Sequence, residues 1–598
     1  MRKRVLIVAA VVGAALACAS VAAVLSTDGV HQPASGAQQT ATLYVSPSGS
    51  DSGQCTQTRP CRSFDRAYQV ARPGNTVLLG SGTYRDPEIG YDSSKTGVRC
   101  DGYNVPVKIS GCVTFRRAAG ARVGFEGSIT IVGNGVRLVG LDLGAASVVI
   151  NPGSICHVPV TTGVILDGLK SDGGELAIDA AAYVADLNGD WGNGLYSKSV
   201  IVHSCDGTGS GDWMQPHHLR FDHGWYHDVV QHTTGESEHI ECMHISAADY
   251  VTISNTKFTN CAGYDVRISY AHKTVENVSH YLIENNLFGA TCAAQRIGVD
   301  CFPIAELQFD GSCLEGTSCD ANIIRFNTID GSFHPSVEPA SRGFTNSAFY
   351  GNIVTGGDDE FHCKTYQGTG LSYRDNVSGT IGQQGPAAPC GRGSVLADKQ
   401  LVNPLPPAYD FRLTGPRNKA ASHVPTTVRG GYPTSDFAGN TRPTRWPLDA
   451  GAHQWETALI DLGRSIGAVR LGENEADVST FYGPPRRRSK LRLGGKTVGV
   501  LTYRLRGGDV FVYADTGRVI GVGTSSRYYS TATGVGVGAD MGTVRSWVKV
   551  AWVDCRRVFA KRFGNVDVYV APVGGKSGRK VAGLTMIRSA YGYGECPP

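Results

Sequence analysis

Polar and apolar residues alternate with a period of two in many short runs of this chain, the pattern of strands with one buried face. Five runs share a further feature: Val251-Thr252-Ile253-Ser254-Asn255, Leu282-Ile283-Glu284-Asn285-Asn286, Ile323-Ile324-Arg325-Phe326-Asn327, Ala348-Phe349-Tyr350-Gly351-Asn352 and Ser372-Tyr373-Arg374-Asp375-Asn376. Each ends in Asn, and an apolar residue follows shortly: Phe258, Phe288, Ile329, Val354 or Val377. The last intervals shrink to roughly one solenoid coil, and the longer ones leave room for loops. Amides stacked at strand spacing can hydrogen-bond along a solenoid axis and satisfy buried turn polarity. The pattern predicts an all-β solenoid, a parallel β-helix, with an Asn ladder of Asn255, Asn286, Asn327, Asn352 and Asn376. Earlier runs at 136–141, 164–169 and 219–223 fit less closely.

The two ends of this region carry their own signatures. Tyr44 to Asp51 leads into a stretch with helical spacing (Phe64, Ala67, Tyr68, Ala71), then Pro73 to Val77 and Gly82 to Tyr84. This block closely resembles the N-terminal cap of secreted right-handed parallel β-helix repeat proteins, the pectate-lyase-like superfamily. Tyr409 to Leu413, Ser435 to Pro443 and Asp449 to His453 resemble the closing segment of the same proteins, with the usual Ser-Pro-Ala-Ile-Asp replaced by Asn418 to Ser422. The resemblance implies a right-handed parallel β-helix with an N-terminal cap over 41–455. It is nearly silent about chemistry.

Residues 456–598 read differently. Gly472, Val478 and Phe481 recur as Gly538, Val544 and Trp547 at a constant offset of 66 residues. Strand-like runs lie between the copies at Thr497 to Leu505, Asp509 to Ala514 and Arg518 to Thr524. A tandem α+β module is expected, each unit a helix followed by antiparallel strands. Its opening resembles the helix-then-sheet module of SmpA/OmlA-type outer-membrane assembly lipoproteins and of tandem β-lactamase inhibitor proteins, which implies a protein partner. The basic run Arg486-Arg487-Arg488 with Lys490 reads as a solvated loop, or as a contact for an anionic polymer or membrane surface.

Composition sets the compartment. Arg2, Lys3 and Arg4 precede an apolar run from Val5 to Leu25, so 1–25 is expected to be a signal peptide or membrane anchor, and the Ser, Gly and Gln-rich 26–40 a linker. Both readings place the remainder outside the cytoplasm, secreted or on the cell surface. The 17 Cys leave an even number beyond Cys18, which suits disulfides in an exported chain. The close pairs are Cys55 with Cys61, Cys100 with Cys112, Cys292 with Cys301 and Cys313 with Cys319, and Cys555 with Cys596 is the pair of the last domain. A net charge of +4 over 598 residues does not suit a nucleic-acid binder.

Seven of the 16 His fall between His217 and His244. The run His239 to His244 aligns with Asp265 to Ser269 and Ala305 to Phe309 as strands of one sheet. With Ile240, Val266, Ile268, Leu307 and Phe309 inward, the residues His239, Glu241, Asp265, Arg267, Glu306 and Gln308 are expected to form a solvent-facing polar strip. Catalysis is assigned to His239, Glu241, Arg267 and Glu306, and substrate contact to His244, Asp265, Gln308 and His223. A lyase acting on an acidic polysaccharide needs a base, here His239 or Glu241, and Arg267 or a cation such as Ca2+ to neutralise the uronate carboxylate. A glycoside hydrolase would use Glu241 and Glu306 as its carboxylate pair. A non-catalytic glycan-binding surface protein is the third reading. No HExxH or paired CxxC spacing assigns a metal site.

Overall fold

The computed structural model describes residues 41–96, 111–151, 160–179, 181–187, 189–192, 200–206, 213–229, 241–246, 248–269, 277–289, 305–309, 319–335, 343–355, 370–379, 389, 391–405, 408–415, 418–444, 446–505, 507–548, 551–553 and 558–591. The expected export segment and linker lie outside them. Among the described residues no helix is long and apolar enough to cross a membrane.

The described strands between residues 42 and 396 form a right-handed parallel β-helix of three sheets. Each coil visits a first, a second and a third sheet in turn, as at Val136–Val139, Asp142–Gly144 and Ser147–Ile150. Twelve described strands stack in the first sheet, from Thr42–Val45 to Ser372–Arg374, ten in the second and nine in the third. Register is kept from coil to coil because like residues sit on like. Phe115 pairs with Leu138, Leu138 with Leu166, and Val266 with Leu307. All five are buried. Phe258 stacks on Tyr226 and Phe288 with centroids 5.4 and 5.2 Å apart, an interior column of rings.

The N-terminal end is closed by helix α1 (Phe64–Val70). Ser63 caps it by accepting the Arg66 amide, and Phe64, Ala67 and Tyr68 are buried beneath it. Phe64 stacks on Phe115 at 5.1 Å, so an amphipathic helix covers apolar surface that the open solenoid end would expose. Cys55 and Cys61 are joined.

The turn between the first and second sheets holds the Asn ladder. Asn286, Asn327, Asn352 and Asn376 are fully buried, and each of the first three donates its side-chain amide to the next carbonyl oxygen at 3.0 to 3.3 Å. Their Nδ2 groups also donate to the carbonyls of Ile253, Ile283, Ile324 and Phe349. Asn255 stands outside this ladder, which corrects the expected alignment by one residue. Ser254 pairs with Glu284, so Asn255 matches Asn285, and Thr256 takes the ladder position with its amide donating to Asn286 Oδ1. Asn255 instead occupies the preceding left-handed position (φ 49°), as Asn285 does (φ 57°), a conformation Asn tolerates well.

The last region holds a short three-stranded antiparallel sheet within 460–470, then an eight-stranded antiparallel sheet with helices α2 (Glu475–Tyr482) and α3 (Met541–Val548), which keep the 66-residue offset. The strands after each helix form half of the sheet. The halves join where Arg518–Thr524 pairs with Val581–Arg588, the last strand of each copy. Gly472 (φ 95°) and Gly538 (φ 82°) take left-handed conformations at matching positions, and Val478 and Val544 share one core. The basic run is a strand and not a loop. Arg487–Leu493 is an edge strand paired residue for residue with Lys496–Leu505 through Gly494-Gly495, whose positive φ angles suit a tight hairpin turn. Its charges suit an edge left open to solvent. At the junction the buried Glu456 carboxylate accepts from Tyr482 at 2.7 Å and Tyr529 at 2.6 Å.

Candidate functional site

The third sheet brings together Glu241–Ser246, Tyr264–Ser269 and Ala305–Phe309 as neighbouring strands. Inward positions are filled by Met243, Val266 and Leu307, then by Ile245, Ile268 and Phe309, all buried. The intervening positions therefore point outward. They set His244 opposite Arg267, Arg267 opposite Gln308, and Gln308 opposite His334. Four polar side chains thus form one column, roughly 14 Å long at strand spacing.

Neighbouring contacts fix these groups. His244 Nε2 lies 2.7 Å from Ser269 Oγ, and Gln308 Nε2 lies 3.2 Å from His334 Nδ1. Arg267 Nη1 donates to Glu241 Oε1 at 3.2 Å, and its guanidinium lies 5.6 Å from the Tyr264 ring centre. The next outward column begins with Asp179 and His203, whose Oδ1 and Nδ1 are 3.2 Å apart, and continues on this sheet with Ser246 and Ser269.

Several expected positions change. The sequence alternation puts Glu241 on the solvent face with Ile240 inward. The observed register puts Glu241 on the same side as Met243 and Ile245, a slip of one residue that reverses the face. Its side chain is fully buried and paired with Arg267, which keeps 13% exposure. Asp265 and Gln308, also expected in the open, are buried. Gln308 lies between the long side chains of Arg267 and His334 on the flanking strands, and these cover it. His223 is not part of this face. It follows the first-sheet strand His217–Asp222, takes a left-handed conformation (φ 61°) and pairs with Asp222 at 3.0 Å. His239 lies outside the described residues. Glu306 lies on its strand between Ala305 and Leu307, and its side chain is outside the described set.

Sequence reasoning missed Asp179, His203 and His334. Each sits at an outward position of a short apolar strand (Leu176–Asp179, Val200–His203, Phe333–Pro335), so the alternation carried the signal. It also missed the disulfide between Cys242 and Cys261, which ties a third-sheet strand to the second-sheet strand of the next coil. Cys112 and Cys319 are disulfide-bonded. Cys100, Cys292, Cys301, Cys313, Cys555 and Cys596 lie outside the described residues. Among the described residues no three His, Cys, Asp or Glu side chains converge as a metal-ligand set.

No family model matches the chain, and no curated protein matches it. Solved structures similar to it include XylC in complex with xylose, at a TM-score of 0.42 and 10% identity over 71% of this chain and 99% of that one. The pectate lyase Pel9A matches at 0.35 and 14% identity over 69% and 96%. A PL6-family alginate lyase matches at 0.30 and 13% identity over 72% and 60%. These three scores all fall below 0.5, so the chemistry of this chain has to be read from its own residues.

Proposed function

We propose that this is an exported carbohydrate-active β-helix protein that engages an acidic polysaccharide along the third sheet and cleaves it by β-elimination. The carrying observation is the outward column His244, Arg267, Gln308 and His334, a row of hydrogen-bonding groups with a guanidinium at its centre. The Cys55–Cys61 and Cys242–Cys261 disulfides suit an oxidising, extracytoplasmic compartment.

Within this reading the chain's groups divide the work. Arg267 neutralises the uronate carboxylate, which acidifies the adjacent C–H. Glu241 is a positioning residue: buried behind Arg267, it holds the guanidinium without facing the substrate. His244, oriented by Ser269, stands one strand from Arg267 and is the candidate base that takes the proton beside the carboxylate. The freed electron pair forms the carbon–carbon double bond as the β-placed C–O glycosidic bond breaks, and the leaving oxygen takes a proton from solvent. His334, two strands on from Arg267, extends the contact to a neighbouring sugar, and the buried Gln308 between them is a positioning residue. Burial of Glu241 speaks against the hydrolase reading, because one of its two carboxylates is turned away from the outward face. Ca2+ would supply the same carboxylate neutralisation as Arg267.

The test is incubation of the exported chain with uronate-containing polysaccharides, with and without Ca2+, following the absorbance of unsaturated ends and reducing sugar. New absorbance that is lost in Arg267→Ala and in His244→Gln supports the lyase. Reducing sugar without absorbance would shift the reading to hydrolysis. Silence in both, with retained polysaccharide binding, would leave a glycan-binding protein.

A further inference from the structure

The second sheet carries a cluster that shares no residue with the column on the third. Its outward positions set Asp190 opposite Trp225 and Trp225 opposite Lys257, with His227 opposite Thr259 beside them. Further along, the closing segment covers this face: the Ala452 amide donates to Thr328 Oγ1, and Tyr409 lies against Gly289. Lys257 sits at the edge of that cover. Its ammonium lies 5.6 Å from the Trp225 ring centre and 5.6 Å from that of Tyr409.

The cluster is built rather than loose. Trp225 is 41% exposed, yet its Nε1 donates to Thr259 Oγ1 at 3.0 Å and its ring stacks on His227 at 3.9 Å. His227 is itself held between Asp228 at 2.6 Å and Asp190 at 3.0 Å. Asn260 donates to Asp228 in turn. Among the described residues Lys257 has no carboxylate partner, and burial pulls its pKa below the ordinary lysine value. A half-buried ammonium compensated only by ring faces is a cation that an incoming anion would complete.

We propose that this cluster is a second saccharide site, in which an acidic sugar unit lies on the open part of Trp225 and its carboxylate pairs with Lys257, Tyr409 closing one side. Aromatic surface supplies apolar contact for a sugar ring, and the ammonium supplies the charge that selects a uronate over a neutral sugar. The site stands on its own residues, whether or not the third-sheet column binds.

The full chain would be titrated with hexamers of galacturonate and mannuronate, a glucuronate-containing oligomer, and their carboxyl-reduced counterparts, by calorimetry and by tryptophan fluorescence. Lys257→Met should weaken binding of an acidic oligomer on the order of tenfold and leave the reduced counterpart unchanged. Trp225→Ala should weaken both. Trp225→Phe should keep most of the affinity while losing the emission change. Arg267→Ala, on the other sheet, should leave this emission change intact. The proposal is overturned if no oligomer binds. It is equally overturned if Lys257→Met and Trp225→Ala, shown folded by circular dichroism, bind like the wild type. Loss of all binding in Arg267→Ala alone, with that variant also shown folded, would overturn it and assign the ligand to the third sheet. Loss in the Lys257 and Trp225 variants alone would uphold it and refute the reading of the column.

Discussion

Arg442 Nη2 donates to Asn285 Oδ1 at 2.8 Å, tying the closing segment to a turn 157 residues earlier. The guanidinium is almost fully buried, lies 4.6 Å from the Phe326 ring centre, and also donates to the carbonyls of Asp449, Gly451 and Ala452. Burial pulls its pKa down to about 10 against the opposing pull of Asp436 and Asp449. Asn285 passes the contact on: its Nδ2 donates to Asn255 Oδ1, and Asn255 donates to Asp222. A second, outer ladder therefore runs beside the buried one. Arg442→Met should remove the donors while keeping some packing, taking a buried partner from Asn285 Oδ1 and from the Gly451 carbonyl, while the Ala452 carbonyl keeps the Phe437 amide. We expect a loss of about 3 kcal/mol or more in urea unfolding. A loss under about 1 kcal/mol would show that the closing segment does not depend on this group.

The two ladders should differ in cost. Asn327→Ala strips partners from the Asn286 amides and from the carbonyl of Ile283, all in the interior, and about 2–4 kcal/mol should be lost. Asn255→Ala removes outer-ladder contacts and a favoured left-handed residue, and should cost about 1 kcal/mol. Equal losses in denaturant melts would contradict the assignment of Asn255 to the outer row.

His227 gives a pH signature. Burial alone would lower its pKa, but the hydrogen bonds that Asp228 and Asp190 accept from it outweigh this, and the net shift is upward from 6.5. The His227 hydrogen bond in turn holds Asp228 below 3.8. A raised His pKa contributes stability that is full below the unfolded value and fades as pH rises through the folded one. A depressed Asp pKa contributes above its unfolded value and fades as pH falls through the folded one. The pair should therefore stabilise most between about pH 4 and 6.5. His227→Gln should flatten the fall in thermal stability above that window. An NMR titration midpoint for His227 below 6.5 would sink this prediction.

Removing the Cys242–Cys261 bridge by a double Cys→Ala change should cost about 3 kcal/mol, as expected for the closed loop between them. Thermal melts under oxidising and reducing conditions should differ by less for the variant than for the wild type, since the Cys55–Cys61 bridge and the bonds of Cys112 and Cys319 remain.

Glu241 and Arg267 should behave as a coupled pair. Glu241→Gln keeps the shape but removes a counter-charge from beside a mostly buried guanidinium, so about 3 kcal/mol should be lost. Arg267→Ala removes a cation from beside the buried carboxylate and should cost a similar amount. The double variant should cost less than the sum, which a double-mutant cycle measures. Simple additivity would mean that the pair is not a unit.

The sequence determined what depends on local pattern. Period-two alternation marked the strands, strand-Asn-apolar recurrence marked the coil, and two terminal signatures marked where the solenoid is closed. The 66-residue offset located both C-terminal helices and their glycines. Such features repeat along the chain, so one sequence displays them several times. Tertiary structure alone decided register and covering. Whether Glu241 faces in or out turns on one residue of pairing across the third sheet, and the choice is made by Met243 stacking on Val266 in the interior. The burial of Gln308, the bond between Cys242 and Cys261, and the reach of Arg442 to Asn285 all join residues that meet only when coils stack or the closing segment folds back. The same holds for Lys257 between Trp225 and Tyr409: three residues that carry no shared signal in sequence become one site because a solenoid places them on one face.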